Sequence, residues 1–540
     1  MKSRLRHRAS AFVKGVVRRQ TEQLFPNREA REYERWIRER VKTRDTIYQN
    51  ALEPGLLAVL TPVWNGSPVG PLRALAKSLT SQNPHGTCEW VLLDNGCSNP
   101  ALLSLFEELS AHTWITSPRV KHNLGIVRGL RECLERASAR YVLPVDADDC
   151  LYPDALKVVT SYVRDRAYPP LLYSDEDKVI GTRHYQPYLK SDWDPVLLLN
   201  SAYIAHLGVI DRDIALNLKA YTDENTEGSP DWDLFVRFMM AGYEPVHIPE
   251  VLYSWRVHAH STADDVASKA YIHSSQKAVL QRFLDSHSHG SRFQVECSPL
   301  LKGAAHWRFV RQHVSPRHIV SIVLGSGQGS LDSSSDPRCL LETARRAAQA
   351  DGLVHFRGED LQVEDDEWPW EALGIFELHP DAVMIGGRIR NRNGLISDAG
   401  RYFGFGKACG CPDRGRSFLD PGYFALMFKQ RSVSMVSIQF AVMKAAFLAE
   451  LLHGLPQGAS LPFLGAWAGT LARRTARRVV YTPFLSGVSD LDWETVVNPV
   501  ERNLFVEMNR DIIPDHRFYS RDLSLVEGYA LQTIGAGGRS

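Results

Sequence analysis

Between Leu56 and Asp154 short apolar runs alternate with helical stretches, and each run ends on a polar tip. Leu56–Leu60 leads into Thr61-Pro62-Val63-Trp64-Asn65, Glu89–Leu93 into Asp94-Asn95-Gly96-Cys97-Ser98, and Tyr141–Val145 into Asp146-Ala147-Asp148-Asp149. Helical patterns at Pro71–Ser81, Pro100–Ala111 and from Asn123-Leu124-Gly125 through Arg140 fill the intervals. Such alternation with short loops predicts an α/β chain with a mostly parallel sheet and helices on both faces. Ligands of such sheets bind outside the carboxyl ends of the strands, so the three tips are expected to share one crevice. Neither GxGxxG nor GxxxxGK[ST] occurs in these loops, which argues against a dinucleotide fold and a P-loop enzyme.

The third tip carries three carboxylates in four positions directly after buried-type residues. Buried charge is costly unless it is paired or bound to a metal, and hard oxygen ligands suit Mg or Mn. The alternative is an acidic loop whose last Asp caps the helix that begins near Pro153.

Composition narrows the class of molecule. The chain has 540 residues, 44% hydrophobic and 23% charged, enough for two or more domains. A net charge of +1 gives no general case for nucleic-acid binding. Eight cysteines without CxxC spacing support neither a zinc site nor a disulfide framework, and Cys409-Gly410-Cys411 is the closest pair. A reducing cytoplasm is therefore the expected compartment. Residues 2–19 interleave Lys2, Arg4, Arg6, Arg8, Lys14, Arg18 and Arg19 with apolar residues and no acid. They read either as an amphipathic helix resting on the inner face of the cytoplasmic membrane or as a solvated basic tail.

Residues 55 to about 265 resemble a family-2 glycosyltransferase of the GT-A fold. The resemblance is carried by Leu60-Thr61-Pro62-Val63-Trp64-Asn65, Leu93-Asp94-Asn95-Gly96-Cys97-Ser98, Asn123-Leu124-Gly125 and Asp146-Ala147-Asp148-Asp149. It continues through Tyr173-Ser174-Asp175-Glu176-Asp177, Lys190-Ser191-Asp192-Trp193-Asp194, Pro230-Asp231-Trp232-Asp233 and the stretch Leu252–Thr262. Thr61, Pro62, Asn65, Asp94, Asn95, Asn123, Gly125, Asp146, Asp148 and Arg256 are implied to bind a nucleotide sugar, with Asn95 standing where the family usually has a second carboxylate. Asp148, Asp149 and His258 are the implied ligands of Mn or Mg. Asp231 resembles the base that takes the acceptor's proton, with Asp233 as the backup; both also suit the first turn of a helix over Trp232–Ala241. Asp175, Glu176, Asp177, Trp232 and Asp233 are expected on the acceptor side.

The C-terminal half repeats the pattern. His318–Leu324 imitates Leu56–Leu60, Ser437–Met443 imitates Tyr203–Ile210, and Arg478–Pro483 imitates Glu244–Pro249. Ile210 to Pro249 spans 39 positions and Met443 to Pro483 spans 40, which points to an internal repeat. Glu359-Asp360 falls where a second acidic loop would lie, Arg357 matches Asp146, and Gly465 matches Asp231. The expected organisation is a basic helical region at 1–53, a catalytic GT-A domain at 54–300, a linker at 301–316 and a truncated, non-catalytic GT-A-like domain at 317–540. Arg473, Arg474, Arg477 and Arg478 would form one basic helical face for an acidic membrane or glycan.

The expected activity is inverting, metal-dependent transfer of a sugar from a UDP- or dTDP-sugar to a hydroxyl of a surface polysaccharide or glycolipid. A non-enzymatic glycan-assembly or binding protein and a nucleotidyltransferase are the alternatives. Retention of Asp146, Asp148, Asp149 and Asp231 in the first copy, beside their loss in the second, favours one working site.

Overall fold

The computed structural model describes residues 28–257, 270–301, 306–312, 319–324, 337–349, 352–491 and 497–533. Its first large sheet is built from β1 (Leu57–Val63), β2 (Glu89–Asp94), β3 (Ile115–Thr116), β4 (Tyr141–Pro144), β5 (Cys150–Leu151), β6 (Leu171–Ile180), β7 (Arg183–Tyr188), β8 (Gly208–Asp211) and β9 (Val246–Arg256). The strand order is β3-β2-β1-β4-β8-β6-β9-β5, with β7 beside β6. β3, β2, β1 and β4 run parallel, β8 runs antiparallel between β4 and β6, and β6 pairs parallel with β9.

The expected parallel half is present because its strands are apolar on both faces. On one face Leu57, Val59, Trp90, Leu92 and Leu143 pack with Leu72, Leu75, Leu102 and Leu105 from the helices Val69–Gln82 and Pro100–Leu109. On the other, Ala58, Leu60, Val91, Leu93 and Val142 meet Val127 and Leu130 of helix Gly125–Arg136 and Trp232 and Phe235 of helix Pro230–Met240. Helix Gly125–Arg136 stops short of the expected Arg140, since Ala137 leaves helical geometry.

Helix Arg28–Ile47, the described part of the N-terminal region, is tied to this body. Arg44 is fully buried, donates to the Val251 carbonyl at 2.8 Å and to Asp154 at 3.0 Å, and pairs with the other Asp154 oxygen at 2.8 Å. Asp154 makes no side-chain cap on the helix Ala155–Asp165 that follows it, so the capping role is not the one it plays. Removing one partner of a buried pair strands the other charge. Arg44→Ala is expected to cost roughly 3–5 kcal/mol in chemical denaturation.

A hairpin of β10 (Phe293–Cys297) and β11 (Trp307–Arg311) follows; β11 lies within the stretch expected as linker. The second large sheet contains β12 (Ile319–Leu324), β13 (Leu353–Gly358), β14 (Gln362–Val363), β15 (Ala382–Arg390), β16 (Ile396–Asp398), and, after a ribbon of β17 (Tyr402–Phe403) and β18 (Cys409–Gly410), β19 (Arg431–Val433), β20 (Phe440–Lys444) and β21 (Arg478–Val488). Its order is β12-β13-β20-β15-β21-β14, with β16 beside β15. Apart from β19, which is added antiparallel to β21, this is β1-β4-β8-β6-β9-β5 with β7 beside β6, in the same relative directions and without β2 and β3. Register agrees as well: Leu172 sits between Val209 and Val246, and Ile385 between Val442 and Val480. The missing pair is the half that carries the Asp94–Ser98 turn.

Register corrects one detail of the repeat. Tyr141 pairs with Leu57 as Leu353 pairs with Ile319, so Gly358 rather than Arg357 stands at Asp146, and Asp360 rather than Glu359 stands at Asp148. The helical arginine face is also not formed. Helix Leu464–Arg474 ends before Arg477, Arg474 pairs with Asp511, Arg477 with Glu450 and Arg478 with Asp381. Residues 2–19 lie outside the described residues. Among the described residues no helix is long and apolar enough to cross a membrane.

Candidate active site

Three loops meet at the carboxyl ends of β1, β2 and β4. Thr61 is fully buried and accepts from the Trp90 indole at 3.1 Å, while Pro62 is half-buried beside it. The Asn65 side chain accepts the Ser98 and Asn99 amides at 2.7 and 3.1 Å, stitching the first loop to the second. Asp94 accepts from the Cys97 amide at 2.7 Å and lies 3.5 Å from Arg119. Gly96 has φ +72°, and a Cβ there would lie 2.5 Å from the His122 carbonyl carbon, so the turn closes onto His122-Asn123 only with glycine.

Asn95 is buried and spent internally. Its amide oxygen accepts from the Leu124 N–H at 2.9 Å, and its NH2 donates to the Gly125 carbonyl at 3.1 Å. It therefore locks the 123–125 turn to β2, where a contact to the nucleotide sugar was expected. Asn123 accepts the Gly125 amide at 3.0 Å. Gly125, at φ +81°, leaves room for Glu227, which receives the Ile126 and Val127 amides at 2.7 and 3.1 Å at the helix N-terminus. A carboxylate at 95 could not donate to Gly125 and would place charge against a carbonyl. Asn95→Asp is expected to destabilise the fold by about 1–3 kcal/mol without creating a uracil acceptor, read by denaturation and UDP titration.

The acidic tip divides its labour. Asp149 is 1% exposed and both its oxygens are taken, one by the Tyr253 hydroxyl and one by the Arg256 amide at 2.8 Å. It fixes the end of β9, with each oxygen accepting one bond from that strand. Arg256 also donates to the Asp148 carbonyl at 2.9 Å, which binds the acidic loop to β9. Asp146 is exposed at the crevice and Asp148 half-buried. The protein around Asp146 raises its carboxyl above the usual range, opposed by His206 and reinforced by Asp148. Among the described residues no three His, Cys, Asp or Glu side chains form a ready-made metal cage. Two crowded carboxylates still fit Mn or Mg, which commonly take one or two protein carboxylates and fill the remaining positions with phosphate oxygens and water. His258 lies outside the described residues.

Asp231 starts helix Pro230–Met240, half-buried, in the electrostatic field of His206 and Asp146. Burial lifts its carboxyl to about 6, with His206 opposing and Asp146 adding. The same helix spends its other candidates on structure. Asp233 is buried and paired with Arg237 at 2.7 Å and with Arg282, and the Trp232 indole donates to the Leu198 carbonyl at 2.8 Å.

Of the triplet on β6, only Glu176 turns toward the crevice, because side chains alternate along a strand. Asp175 is fully buried and accepts from the Lys190 amide and His247; Asp177 is fully buried and accepts from the Tyr33 and Tyr152 hydroxyls. Glu176 lies 3.1 Å from His206 Nδ1 and 3.4 Å from Lys190. Burial pushes Glu176 up, but Lys190 and His206 outweigh it and bring it to about 2. Burial likewise lowers His206, and Glu176, Asp231 and Asp146 outweigh it, holding the imidazole at about 9. His206 stacks on Tyr253 at 4.7 Å between ring centres. No sequence spacing marks His206; the lone histidine in the apolar run Tyr203–Ile210 was its only trace.

The family profile described as glycosyl transferase family 2 matches residues 58–214, from β1 through β8. Residues 58–214 belong to glycosyl transferase family 2. The mixed sheet with helices on both faces is the GT-A arrangement of this transferase domain, and the second sheet follows it. The chain is 26% identical over 444 residues to an uncharacterized protein y4gI of Sinorhizobium fredii, covering 72% of this chain and 48% of the relative. It is 28% identical over 252 residues to the O-antigen biosynthesis protein RfbC of Myxococcus xanthus, covering 45% and 20%. A putative glycosyltransferase EpsE of Bacillus subtilis matches at 26% over 221 residues, covering 38% and 76%. The chain thus spans about half the length of the first of these relatives and a fifth of the second. A crystal structure of S. aureus TarS 1–349 with UDP-GlcNAc matches at 20% identity and a TM-score of 0.36, covering 43% of this chain and 66% of that one, a likeness too slight to argue from.

Proposed function

We propose that the first copy is a metal-dependent, inverting glycosyltransferase using a nucleoside-diphosphate sugar, and that it builds a surface polysaccharide or glycolipid. The division into a catalytic domain at 54–300 and a non-catalytic copy at 317–540 belongs to the same reading. The single observation that carries it is that Asp146, Asp231 and Glu176, from three separate elements, share the electrostatic field of His206, whose Nδ1 lies 3.1 Å from Glu176. The name of RfbC supports the substrate class and that of EpsE the activity.

In this reading the Asp94–Ser98 turn and Thr61 receive the nucleobase end, and Asp146 and Asp148 lie at the diphosphate. Mn or Mg held by Asp146 and Asp148 would supply Lewis acidity that offsets charge on the departing nucleoside diphosphate. An acceptor hydroxyl attacks the anomeric carbon from the face opposite the leaving group. The carbon–oxygen bond to the diphosphate breaks as the new glycosidic bond forms, with inversion. Asp231 takes the hydroxyl proton, a role suited to a carboxyl that ionises near 6. Glu176 orients His206, whose charge keeps Asp231 and Asp146 from rising further.

A screen of UDP- and dTDP-sugars with Mn or Mg tests the reading, with release of the nucleoside diphosphate as the readout. One donor is expected to turn over, and Asp148→Ala to lose it. No binding of any donor with either metal overturns the proposal.

A further inference from the structure

The second copy cannot regain a transferase site, because the place of its base is occupied. Helices Pro230–Met240 and Leu464–Arg474 begin and end 234 residues apart, which sets Gly465 at the position of Asp231. A Cβ on Gly465 would lie 2.2 Å from the Val436 carbonyl oxygen, and one on Gly469 would lie 2.3 Å from that of Ser434. The strap around 430–436 therefore packs so closely on this helix that no side chain fits at 465 or 469.

That same strap grips the first copy. The Ser432 amide donates to one Asp194 oxygen and its hydroxyl to the other, both at 2.7 Å, and Arg478 donates to the Ser432 hydroxyl at 2.9 Å. Asp194 is 1% exposed, so the clamp is dry and charge-assisted. Beside it Asn200 accepts the Gln430 amide at 3.2 Å and donates to the Gln430 side chain at 3.2 Å. Gln430 is itself held by Glu371, which also accepts from Thr482. The Tyr423 hydroxyl receives the Leu189 amide at 2.9 Å and donates to the Pro187 carbonyl at 2.9 Å. Val209 corresponds to Val442, 233 residues on, so residues 430–432 are the counterpart of 197–199. The clamp thus joins closely equivalent segments of the two copies.

The gripped stretch of the first copy runs from Leu189 to His206. At one end Lys190 donates to the Ser174 carbonyl at 2.8 Å and to the His206 carbonyl, and at the other His206 reaches Glu176. We propose that the second copy has exchanged catalysis for positioning: through Ser432 and Arg478 on Asp194, and Gln430 on Asn200, it fixes residues 189–206 and with them the acceptor side of the crevice. The proposal rests on the transferase reading for its consequence in turnover, and stands on its own for its consequence in local order.

The experiment compares full-length wild type with Asp194→Asn, Ser432→Ala and their double variant; Arg474→Ala, which breaks a pair with Asp511 elsewhere, is the control. Amide hydrogen exchange at 189–206 is expected to quicken roughly tenfold in both single variants, with 57–63 and 89–94 unchanged. Turnover of whichever donor the screen identifies is expected to fall about tenfold in kcat, while affinity for UDP with Mn stays within about twofold. The double variant is expected to be no worse than the poorer single one, since both act on one clamp. Unchanged exchange at 189–206 in folded variants overturns the proposal, as does a loss of UDP affinity equal to the loss in kcat. If Ser432→Ala fails to fold, Asp194→Asn, which preserves shape, decides. An empty donor screen would sink the transferase reading, and exchange alone would then decide this one.

Discussion

Asp231→Asn is expected to lower sugar transfer at neutral pH by about 10²–10⁴-fold, the usual worth of a positioned base, and at the same time to stabilise the protein. The wild-type rate is expected to climb with pH and level off above about 6, where Asp231 becomes ionised. The stability effect has the same origin. Asp231 ionises near 6 in the fold against 3.8 when unperturbed, so the folded chain holds this proton more tightly than the unfolded one. Its contribution to stability is present below 3.8, is lost as pH rises toward 6, and above that leaves a standing cost. The gap of about 2.2 corresponds to about 3 kcal/mol at most, and partial solvation of the carboxyl reduces this to about 1–2 kcal/mol. Denaturation of wild type and Asp231→Asn in a chelator should therefore differ at pH 7 and converge near pH 4. A variant that keeps full transfer removes Asp231 from the chemistry, and one that gains no stability at pH 7 shows the site to be better solvated than its surroundings imply.

Gly465→Asp, the substitution that writes the missing acid into the second copy, is expected to cost about 3–5 kcal/mol and to create no activity. The new Cβ would meet the Val436 oxygen at 2.2 Å, deep in a packed helix contact. Overpacking of this kind costs about 1–3 kcal/mol, and a carboxylate held against a carbonyl without a donor adds its desolvation. Chemical denaturation measures the loss. Transfer in an Asp231→Asn, Gly465→Asp double variant should remain at the level of Asp231→Asn. Recovery of activity, or a neutral effect on stability, would show that the strap at 434–436 yields and that the second site is only dormant.

The sheet halves were legible in different ways. The parallel strands β1, β2 and β4 are apolar on both faces, so they stand out as runs, and the loops after them are necessarily at one edge. The repeat was readable from spacing, because Met443 and Ile210 occupy the same ladder position and so do Val480 and Val246. Its fine register was not, since an offset of one residue between Glu359 and Asp360 is settled only by which backbone groups pair. The arginines at 473–478 looked like one helical face because nothing in their spacing announces that the helix ends at Arg474.

Residue types and the family resemblance named the acids of the crevice, while their partners assigned the work. Asp146 and Asp148 could be singled out because carboxylates after a buried strand are costly without a purpose, and Asp231 because its segment resembles the one that carries the family's base. That Asp149 serves Tyr253 and Arg256, that Asn95 is used up on the 124–125 backbone, and that Asp175 and Asp177 turn inward while Glu176 turns to His206 depends on contacts between residues far apart in the chain. The sequence by itself determined the alternating fold, the three converging loops, the repeat and the glycine at the place of Asp231 in its second copy, because these follow from local pattern and count. Only the tertiary structure decided which acids remain open, where the His206 cation stands, and that the strap closing the second site is the one that holds the first. Hydrogen bonding and burial are pairwise and long-range, and no spacing along the chain records them.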